Sequence, residues 1–290
     1  MNSLSSQTTE NKPAAGDMHA HKPPTNLQIR TITSLVALPL VLVVIFAGGV
    51  VFAAVIWAFF FIAALEYQAM ASQGKITPSA LIHAGLALLL SVMITFSIQW
   101  TPVVVVLSVV LIWIAPRLQP DQPVNALSDR VLGWILAVYV GCIAGFAVLL
   151  RWDSAGLLWY VLIASGTWSM DVMSYVGGKL LGKHLLSPKL SPKKTIEGAV
   201  IGAFSAILIS FLLVLQMGAL MPLTVFLLLI NPSAALAGDL LESAVKRHFH
   251  TKDSLIHGLN ILPGHGGVLD RIDSLMVVIG VCFVCVALFR

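Results

Sequence analysis

After a polar beginning, the chain alternates between long apolar runs and short polar connections. The first apolar run extends from Thr31 to Leu65. A continuous helix of that length would measure about 52 Å, which exceeds the roughly 30 Å hydrocarbon core of a bilayer. The run therefore predicts two helices that turn near Gly48 and Gly49. Taken over its whole length, the pattern predicts an all-α, polytopic membrane protein with about nine transmembrane helices.

Applied to the rest of the chain, the pattern gives approximate limits for each span. The predicted spans are residues 31–49, 51–70, 80–99, 102–116, 131–150, 156–178, 197–216, 219–238 and 274–289. Residues 1–26 are polar and without periodicity, which is typical of a disordered tail, here expected in the cytoplasm. We expect N-terminal transmembrane helices over 27–150 and a second transmembrane region over 151–290, with cytoplasmic loops 177–197 and 239–273. The charges described below mark this second region as the catalytic one.

The composition excludes a soluble globular enzyme. Hydrophobic residues make up 58% of the chain, charged residues only 10%, and the mean hydropathy is +0.93. Soluble domains carry roughly 25% charged residues. The net charge of +4 does not indicate a nucleic-acid partner here, because in a membrane protein a basic excess reports orientation.

The distribution of basic residues predicts that orientation. With a cytoplasmic N-terminus, 15 of the 17 bases fall in inner loops, which leaves Arg151 and Arg290 outside. Lysine and arginine gather in cytoplasmic loops of membrane proteins. We therefore expect a multi-pass membrane protein whose N-terminus faces the cytoplasm.

Charge also marks a candidate site, because two inner segments, 171–197 and 239–273, hold 16 of the 30 charged side chains. In the first segment, Asp171 lies well inside an apolar span, with Tyr175 one turn later on the same face. A lipid-facing aspartate is costly, so Asp171 is expected to face a polar cavity; the alternative is that neighbouring helices satisfy it. A basic loop follows, with Lys179, Lys183, Lys189, Lys193 and Lys194.

In the second segment, a helix that continues the preceding span places Asp239, Glu242, Ser243 and Lys246 on one stripe. By itself this is also the pattern of an ordinary salt-bridged helix face. A glycine turn follows, with Gly264, Gly266 and Gly267 around His265, where successive amides can bind an anion.

Directly after the turn, Asp270 and Asp273 stand one helical turn apart, with Arg271 between them. Carboxylates at this spacing are suited to Mg²⁺ or Mn²⁺. Acids for a metal, bases for phosphate charge and a glycine turn together indicate a phosphoryl-type site at the cytoplasmic interface, between water and lipid.

These motifs resemble those of the phosphatidate cytidylyltransferases, also called CDP-diglyceride synthases. The C-terminal signature of that family is matched by Ser243, Lys246, Arg247, Lys252, Asp253, Pro263, Gly264, His265, Gly266, Gly267, Asp270, Arg271 and Asp273. The preceding GDLxES motif is matched at 238–243, the SPKKTxEG loop at 191–198, and the EY pair at Glu66 and Tyr67. One departure is a longer insert, residues 255–262, before the glycine turn.

The resemblance implies a dimeric, polytopic enzyme that uses CTP, phosphatidate and Mg²⁺ at the bilayer, with a monovalent cation such as K⁺ alongside. We expect catalysis by Asp239, Lys246, Asp270, Arg271 and Asp273, of which the three aspartates hold the metal. We expect substrate binding by Asp171, Lys193, Lys194, Arg247, Lys252, His265, Gly266 and Gly267. His265 is interpreted as a general base, as a hydrogen-bond donor to a phosphate, or as a spacer.

Several alternatives stay open from sequence. A related CTP-dependent membrane enzyme acting on another lipid is one, and a transporter of a phosphorylated solute is another. Glu66 either lines the cavity or merely reaches the cytoplasmic interface. The two GxxxG motifs, Gly141 to Gly145 and Gly198 to Gly202, fit helix packing or dimerisation.

Overall fold

The computed structural model describes residues 26–97, 99, 101–114, 127–257, 261 and 266–289. Almost all of the predicted tail, together with His265, lies outside the described residues. Within them, helices follow the apolar runs: α1 (Asn26–Ala47), α2 (Gly49–Ala71), α3 (Pro78–Ser97), α4 (Thr101–Ile114), α5 (Leu127–Trp152), α6 (Gly156–Leu181), α7 (Ile196–Gln216), α8 (Pro222–His248) and α9 (Leu269–Phe289).

Six of these helices, α2, α3, α5, α7, α8 and α9, are long and apolar enough to cross a membrane. Shorter apolar helical stretches lie at Thr33–Ala47 and Thr101–Val110. The all-α membrane class is therefore confirmed, whereas the expected count of about nine transmembrane helices is not. Large apolar side chains are exposed on the outer faces of α1, α4 and α7, which is the surface that a bilayer covers.

The turn between α1 and α2 falls at the predicted glycine pair. Gly48 and Gly49 have φ values of +61° and +54°, a region that glycine enters without steric cost. The Arg151 guanidinium closes this turn, since its Nε donates to the Ile45 carbonyl at 2.7 Å. Arg151 thus satisfies backbone groups that the end of a helix leaves unpaired.

Both GxxxG motifs pack helices within the chain. A Cβ on Gly141 would meet the Ala87 carbonyl of α3 at 2.6 Å, and one on Gly145 would meet Ile94 at 2.6 Å. A Cβ on Gly198 or Gly202 would likewise meet backbone of α6, at the Ser174 and Met170 carbonyls. The absent side chains let α5 approach α3 and α7 approach α6 closely.

A short antiparallel hairpin, β1 (Leu185–Ser187) and β2 (Ser191–Thr195), connects α6 to α7. Thr195 then caps α7, because its side chain accepts from the Gly198 amide. Helical structure also extends into both segments that we expected as loops: α6 continues to Leu181 and α8 to His248, whereas α9 begins at Leu269. These extensions place the charged side chains on rigid elements.

Candidate active site

The acidic and basic side chains of the two charged segments meet at one end of the bundle. They come from the hairpin, the last turns of α8 and the first turn of α9. Helices α8 and α9 touch where the charged stretch of α8 begins, because a Cβ on Gly238 would lie 2.7 Å from the Asp273 carbonyl oxygen. A glycine at this crossing therefore brings Asp239 and Asp273 to the same place.

Lys246 joins two of the acids. Its ammonium lies 2.7 Å from Glu242 Oε2, one turn earlier on α8, and 2.9 Å from Asp270 Oδ1 on α9. The side chains of Glu242 and Asp270 are only 4% and 10% exposed. Two carboxylates with so little water around them need a shared counter-charge, which Lys246 provides.

Lys194 reaches the same cluster from the hairpin, where its ammonium pairs with the Asp239 carboxylate. Glu197 holds the base of the hairpin, since its Oε2 accepts from the Lys183 and His184 amides at 3.0 and 3.2 Å. Arg247 of α8 holds the tip, donating to the Leu190 carbonyl at 3.4 Å. The basic loop of the sequence is thus an ordered element fixed at both ends.

Asp171 approaches the cluster from α6. It lies within electrostatic range of Asp239 and Asp273, and also of Lys194 and Arg271. The side chain is exposed, on a face of α6 where Val172 and Tyr175 are 60% and 70% exposed. The predicted cavity-facing acid therefore stands where an apolar helix face meets the charged cluster.

The donor set suits a hard divalent cation. Glu242 Oε1 is buried without a hydrogen-bond partner, and the same carboxyl adjoins those of Asp273 and Asp270. Carboxylates in such proximity are ligands of the kind that Mg²⁺ prefers. Among the described residues, however, no group of three acidic, histidine or cysteine side chains is arranged to hold an ion. Lys194 and Lys246 occupy the acids, so a metal would require these ammonium groups to move aside.

The other residues proposed for substrate binding surround this cluster less tightly. Lys193, Arg247 and Lys252 are exposed, as is Arg271, which we expected among the catalytic residues. At the glycine turn, Gly266 has a φ of +83°, and the Gly267 amide donates to Asp270 Oδ2 at 3.1 Å. An anion bound by the Gly267 amide would compete with that bond.

Three further residues belong to this cluster. The sequence placed Glu242 in the helical stripe and the GDLxES motif, and Glu66 in the EY pair as an intramembrane acid, whereas Ser254 was not singled out. Glu66 accepts hydrogen bonds at the start of α9, although it lies on α2. Two signals in the sequence pointed to it: an acid at the end of an apolar helix, and the EY pair that resembles the family.

Comparison with known proteins identifies the family of the chain. A model of the Cytidylyltransferase family matches residues 28–289. The chain belongs to the cytidylyltransferase family. The resemblance seen in the sequence motifs is thereby confirmed.

Individual relatives carry the same assignment. The chain is 32% identical to a phosphatidate cytidylyltransferase of Staphylococcus epidermidis over 259 residues, which cover 87% of this chain and 96% of that protein. It is 31% identical to one of Staphylococcus aureus over 261 residues, with the same coverage. It is 38% identical to one of Bacillus subtilis over 172 residues, covering 57% of this chain and 62% of that protein. A cytidylyltransferase is a nucleotidyltransferase, so the charged cluster is the candidate active site of an enzyme.

Proposed function

We propose that the protein is a phosphatidate cytidylyltransferase that converts CTP and phosphatidate to CDP-diacylglycerol and pyrophosphate in phospholipid biosynthesis. The observation that carries this proposal is the position of the mixed acid and base cluster. It lies at one end of an apolar bundle, beside a face of α6 on which Asp171 is exposed together with Val172 and Tyr175. A site of this kind serves one substrate that arrives from water and another that arrives from lipid.

The reaction needs no covalent intermediate with the protein. A phosphate oxygen of phosphatidate attacks the α-phosphorus of CTP and forms the new P–O–P bond. The bond between the α-phosphorus and the oxygen that bridges it to the β-phosphorus breaks, and pyrophosphate leaves with that electron pair. Both reactants are anions, so the main task of the enzyme is to neutralise charge and to align the two phosphates.

The basic residues of the cluster are suited to that task. Lys194 and Lys246 are already held in place by acids, and Lys193, Arg247, Lys252 and Arg271 are exposed side chains of the same two charged segments. We assign these side chains to the phosphates of the two substrates, with Gly266, Gly267 and His265 at the glycine turn. Preorganised positive charge of this kind stabilises the negative charge that develops during transfer.

We further propose that Asp239, Asp270 and Asp273 bind Mg²⁺, with Glu242 as an additional candidate ligand. When bound, the ion would neutralise phosphate charge and stabilise the leaving pyrophosphate. Displaced from their carboxylates, Lys194 and Lys246 would then be free to bind phosphate. A monovalent cation such as K⁺ is proposed alongside.

The distribution of basic residues indicates how the enzyme is oriented in the membrane. We propose that it is a multi-pass protein of the cell inner membrane, with the N-terminus and the site on the cytoplasmic side, where CTP is available. The bias of 15 in 17 bases toward that side supports this orientation. We also propose a homodimer, formed by surfaces other than the glycine faces that pack within the chain.

The experiment that tests the reaction uses purified protein, Mg²⁺ and CTP labelled at either the α- or the γ-phosphate. Phosphatidate is compared with an isoprenoid alcohol, an isoprenoid phosphate, an ether lipid phosphate and diacylglycerol. We expect the α-label in CDP-diacylglycerol and the γ-label in pyrophosphate, with phosphatidate as the preferred acceptor. Transfer of the γ-label to a lipid, or preference for another acceptor, would reject the proposal.

A further inference from the structure

Glu66 is a buried carboxylate that reaches the start of α9 from the end of α2. Its side chain accepts two hydrogen bonds from backbone amides and lies within hydrogen-bond distance of a serine hydroxyl. The Val268 amide donates to Oε1 at 2.9 Å, the Leu269 amide to Oε2 at 2.7 Å, and the Ser254 hydroxyl lies 3.1 Å from Oε2. Glu66 is 4% exposed, so these donors replace water around the carboxylate.

The Val268 and Leu269 amides lie at the start of α9, where a helix needs hydrogen-bond acceptors from outside. The first N–H groups of a helix have no partner within it, and a negative charge there is favourable. A residue within the same turn usually serves as the cap. Here Asp270 accepts from the Gly267 amide at 3.1 Å, while the next two amides depend on Glu66, which lies far away in the sequence.

Ser254 connects Glu66 to the proposed metal ligand Asp270. Its hydroxyl lies 2.7 Å from Asp270 Oδ1 and 3.1 Å from Glu66 Oε2. Together with the Gly267 amide and the Lys246 ammonium, Ser254 fixes both oxygens of Asp270. Two of these three contacts, from Ser254 and from the Gly267 amide, are made by residues that surround the Glu66 carboxylate.

The glycine turn is shaped around Glu66. A Cβ on Gly267 would lie 2.0 Å from the Ser254 hydroxyl and 2.6 Å from Glu66 Oε2. No side chain fits at position 267 while the Glu66 carboxylate lies beside it. Gly267 is therefore required for the approach of a protein carboxylate, in addition to any contact it makes with substrate.

The segment after α8 is tied to the same end of α2. The His257 amide donates to the Gly74 carbonyl at 2.8 Å, and the Gln73 side chain donates to the Phe249 carbonyl at 3.4 Å. These contacts hold the segment that carries Ser254 against the turn after α2. Glu66 is thus part of a joint between the N-terminal helices and the charged cluster.

We propose that Glu66 is a positioning residue for the transfer reaction. It holds the start of α9 and, through Ser254, the orientation of the Asp270 carboxylate, without touching the reacting atoms itself. The inference rests on the proposed function, in which Asp270 is a metal ligand. It means that the N-terminal helices supply part of the active-site geometry.

The test compares Glu66→Gln and Ser254→Ala with the wild type. Glutamine has nearly the same shape, but it turns an N–H group toward donors that need an acceptor. Loss of a group that orients a metal ligand typically costs about 10- to 100-fold in activity or metal affinity. We expect kcat to fall and the half-saturating Mg²⁺ concentration to rise by such factors, with a KM for CTP within about threefold of wild type.

A second readout is independent of turnover. Hydrogen exchange in the peptide that contains Val268 and Leu269 is expected to accelerate in Glu66→Gln. If Ser254 transmits the effect, the double variant will be no more impaired than Glu66→Gln alone, because the two changes break one connection.

Gln68→Met is the matched control. Gln68 is a buried polar residue of the same helix end, but it donates to the Gly133 carbonyl of α5 at 2.6 Å. We expect this variant to keep its kcat, its Mg²⁺ dependence and the slow exchange at the start of α9. An equal loss of activity in Gln68→Met, in proportion to a lowered unfolding temperature, would overturn the proposal.

The proposal would also be overturned if Glu66→Gln and Ser254→Ala both kept kcat within about threefold of wild type. If Glu66→Gln does not fold, Ser254→Ala decides the question by the same criteria. A wild-type protein that forms no CDP-diacylglycerol would reject the proposed function instead. The exchange comparison would then still show whether Glu66 holds the start of α9.

Discussion

At the scale of residues, two lysines keep the acids of the cluster in place. Lys246 lies between Glu242 and Asp270, and Lys194 pairs with Asp239. Acidic side chains this close repel one another, and a base between them offsets the repulsion. The same lysines are the groups that phosphate would attract, so the cluster is ordered before substrate arrives.

Replacement of Lys194 by alanine is expected to weaken use of the substrate whose phosphate it contacts. A charged hydrogen bond contributes about 1.5–3 kcal/mol, which corresponds to roughly a 10- to 100-fold loss in kcat/KM. Steady-state kinetics with CTP and phosphatidate varied in turn will show which substrate is affected. Lys189→Ala is the control, because Lys189 is an exposed lysine in the turn of the same hairpin. Unchanged kinetics for both substrates in Lys194→Ala would contradict this role.

The sequence was sufficient to predict which residues gather in the charged cluster, but not their partners. Asp239, Lys246, Asp270 and Asp273 attract notice because charge is rare in an apolar chain and costly near lipid. The pairing of Lys194 with Asp239, and of Glu66 with the amides of α9, joins positions far apart in the chain. Periodicity and spacing carry no information about contacts of that kind.

At the scale of elements, the lengths of the apolar runs were enough to predict the helices. The turn at Gly48 and Gly49 follows from a run too long for one span, and α5 and α7 lie close to their expected limits. The hairpin was not predicted, since its strands have three and five residues and Pro192 lies in the second. Short strands with proline lack a sequence pattern. This hairpin depends on Glu197 and Arg247 to hold its ends.

Glycine packing within the chain makes a prediction at this scale. Gly141→Ala would place a methyl group 2.6 Å from the Ala87 carbonyl oxygen. Overpacking of this kind typically costs about 1–3 kcal/mol of unfolding free energy. Thermal unfolding in detergent should show a lower midpoint at every protein concentration, since the contact lies within one chain.

Gly85→Ala provides the comparison, because a Cβ there meets nothing within 4 Å. Alanine is the better helix former by about 1 kcal/mol, so this variant should unfold at the wild-type temperature or above it. A Gly141→Ala protein as stable as the wild type, or one destabilised only on dilution, would show that α5 and α3 do not pack as described.

At the scale of the whole molecule, the two halves of the chain share one site. The C-terminal half supplies the acids and bases, whereas α2 supplies Glu66 and the turn after it binds the segment around Ser254. In the proposed function, the end of the bundle that carries the cluster is the end that CTP reaches.

The proposed orientation predicts the side on which each connection lies. A reporter fused after Arg290 should read as outside the cytoplasm, and one inserted near Lys75 or Lys189 should read as cytoplasmic, because lysines and arginines gather on the inner side. Labelling of single cysteines introduced at the same places would check the result without a fusion. A cytoplasmic C-terminus would contradict the combination of a cytoplasmic N-terminus with an odd number of spans.

The central claim is that the carboxylate cluster between α8 and α9 carries out nucleotidyl transfer. Its most direct test is the rate of CDP-diacylglycerol formation from CTP and phosphatidate by purified Asp270→Asn and Asp129→Asn proteins with equal unfolding temperatures. Asp129 is an acid outside the cluster, 2.9 Å from His248. We predict that Asp270→Asn lowers the rate by at least about 100-fold, while Asp129→Asn keeps it. A near wild-type rate in Asp270→Asn would contradict the account.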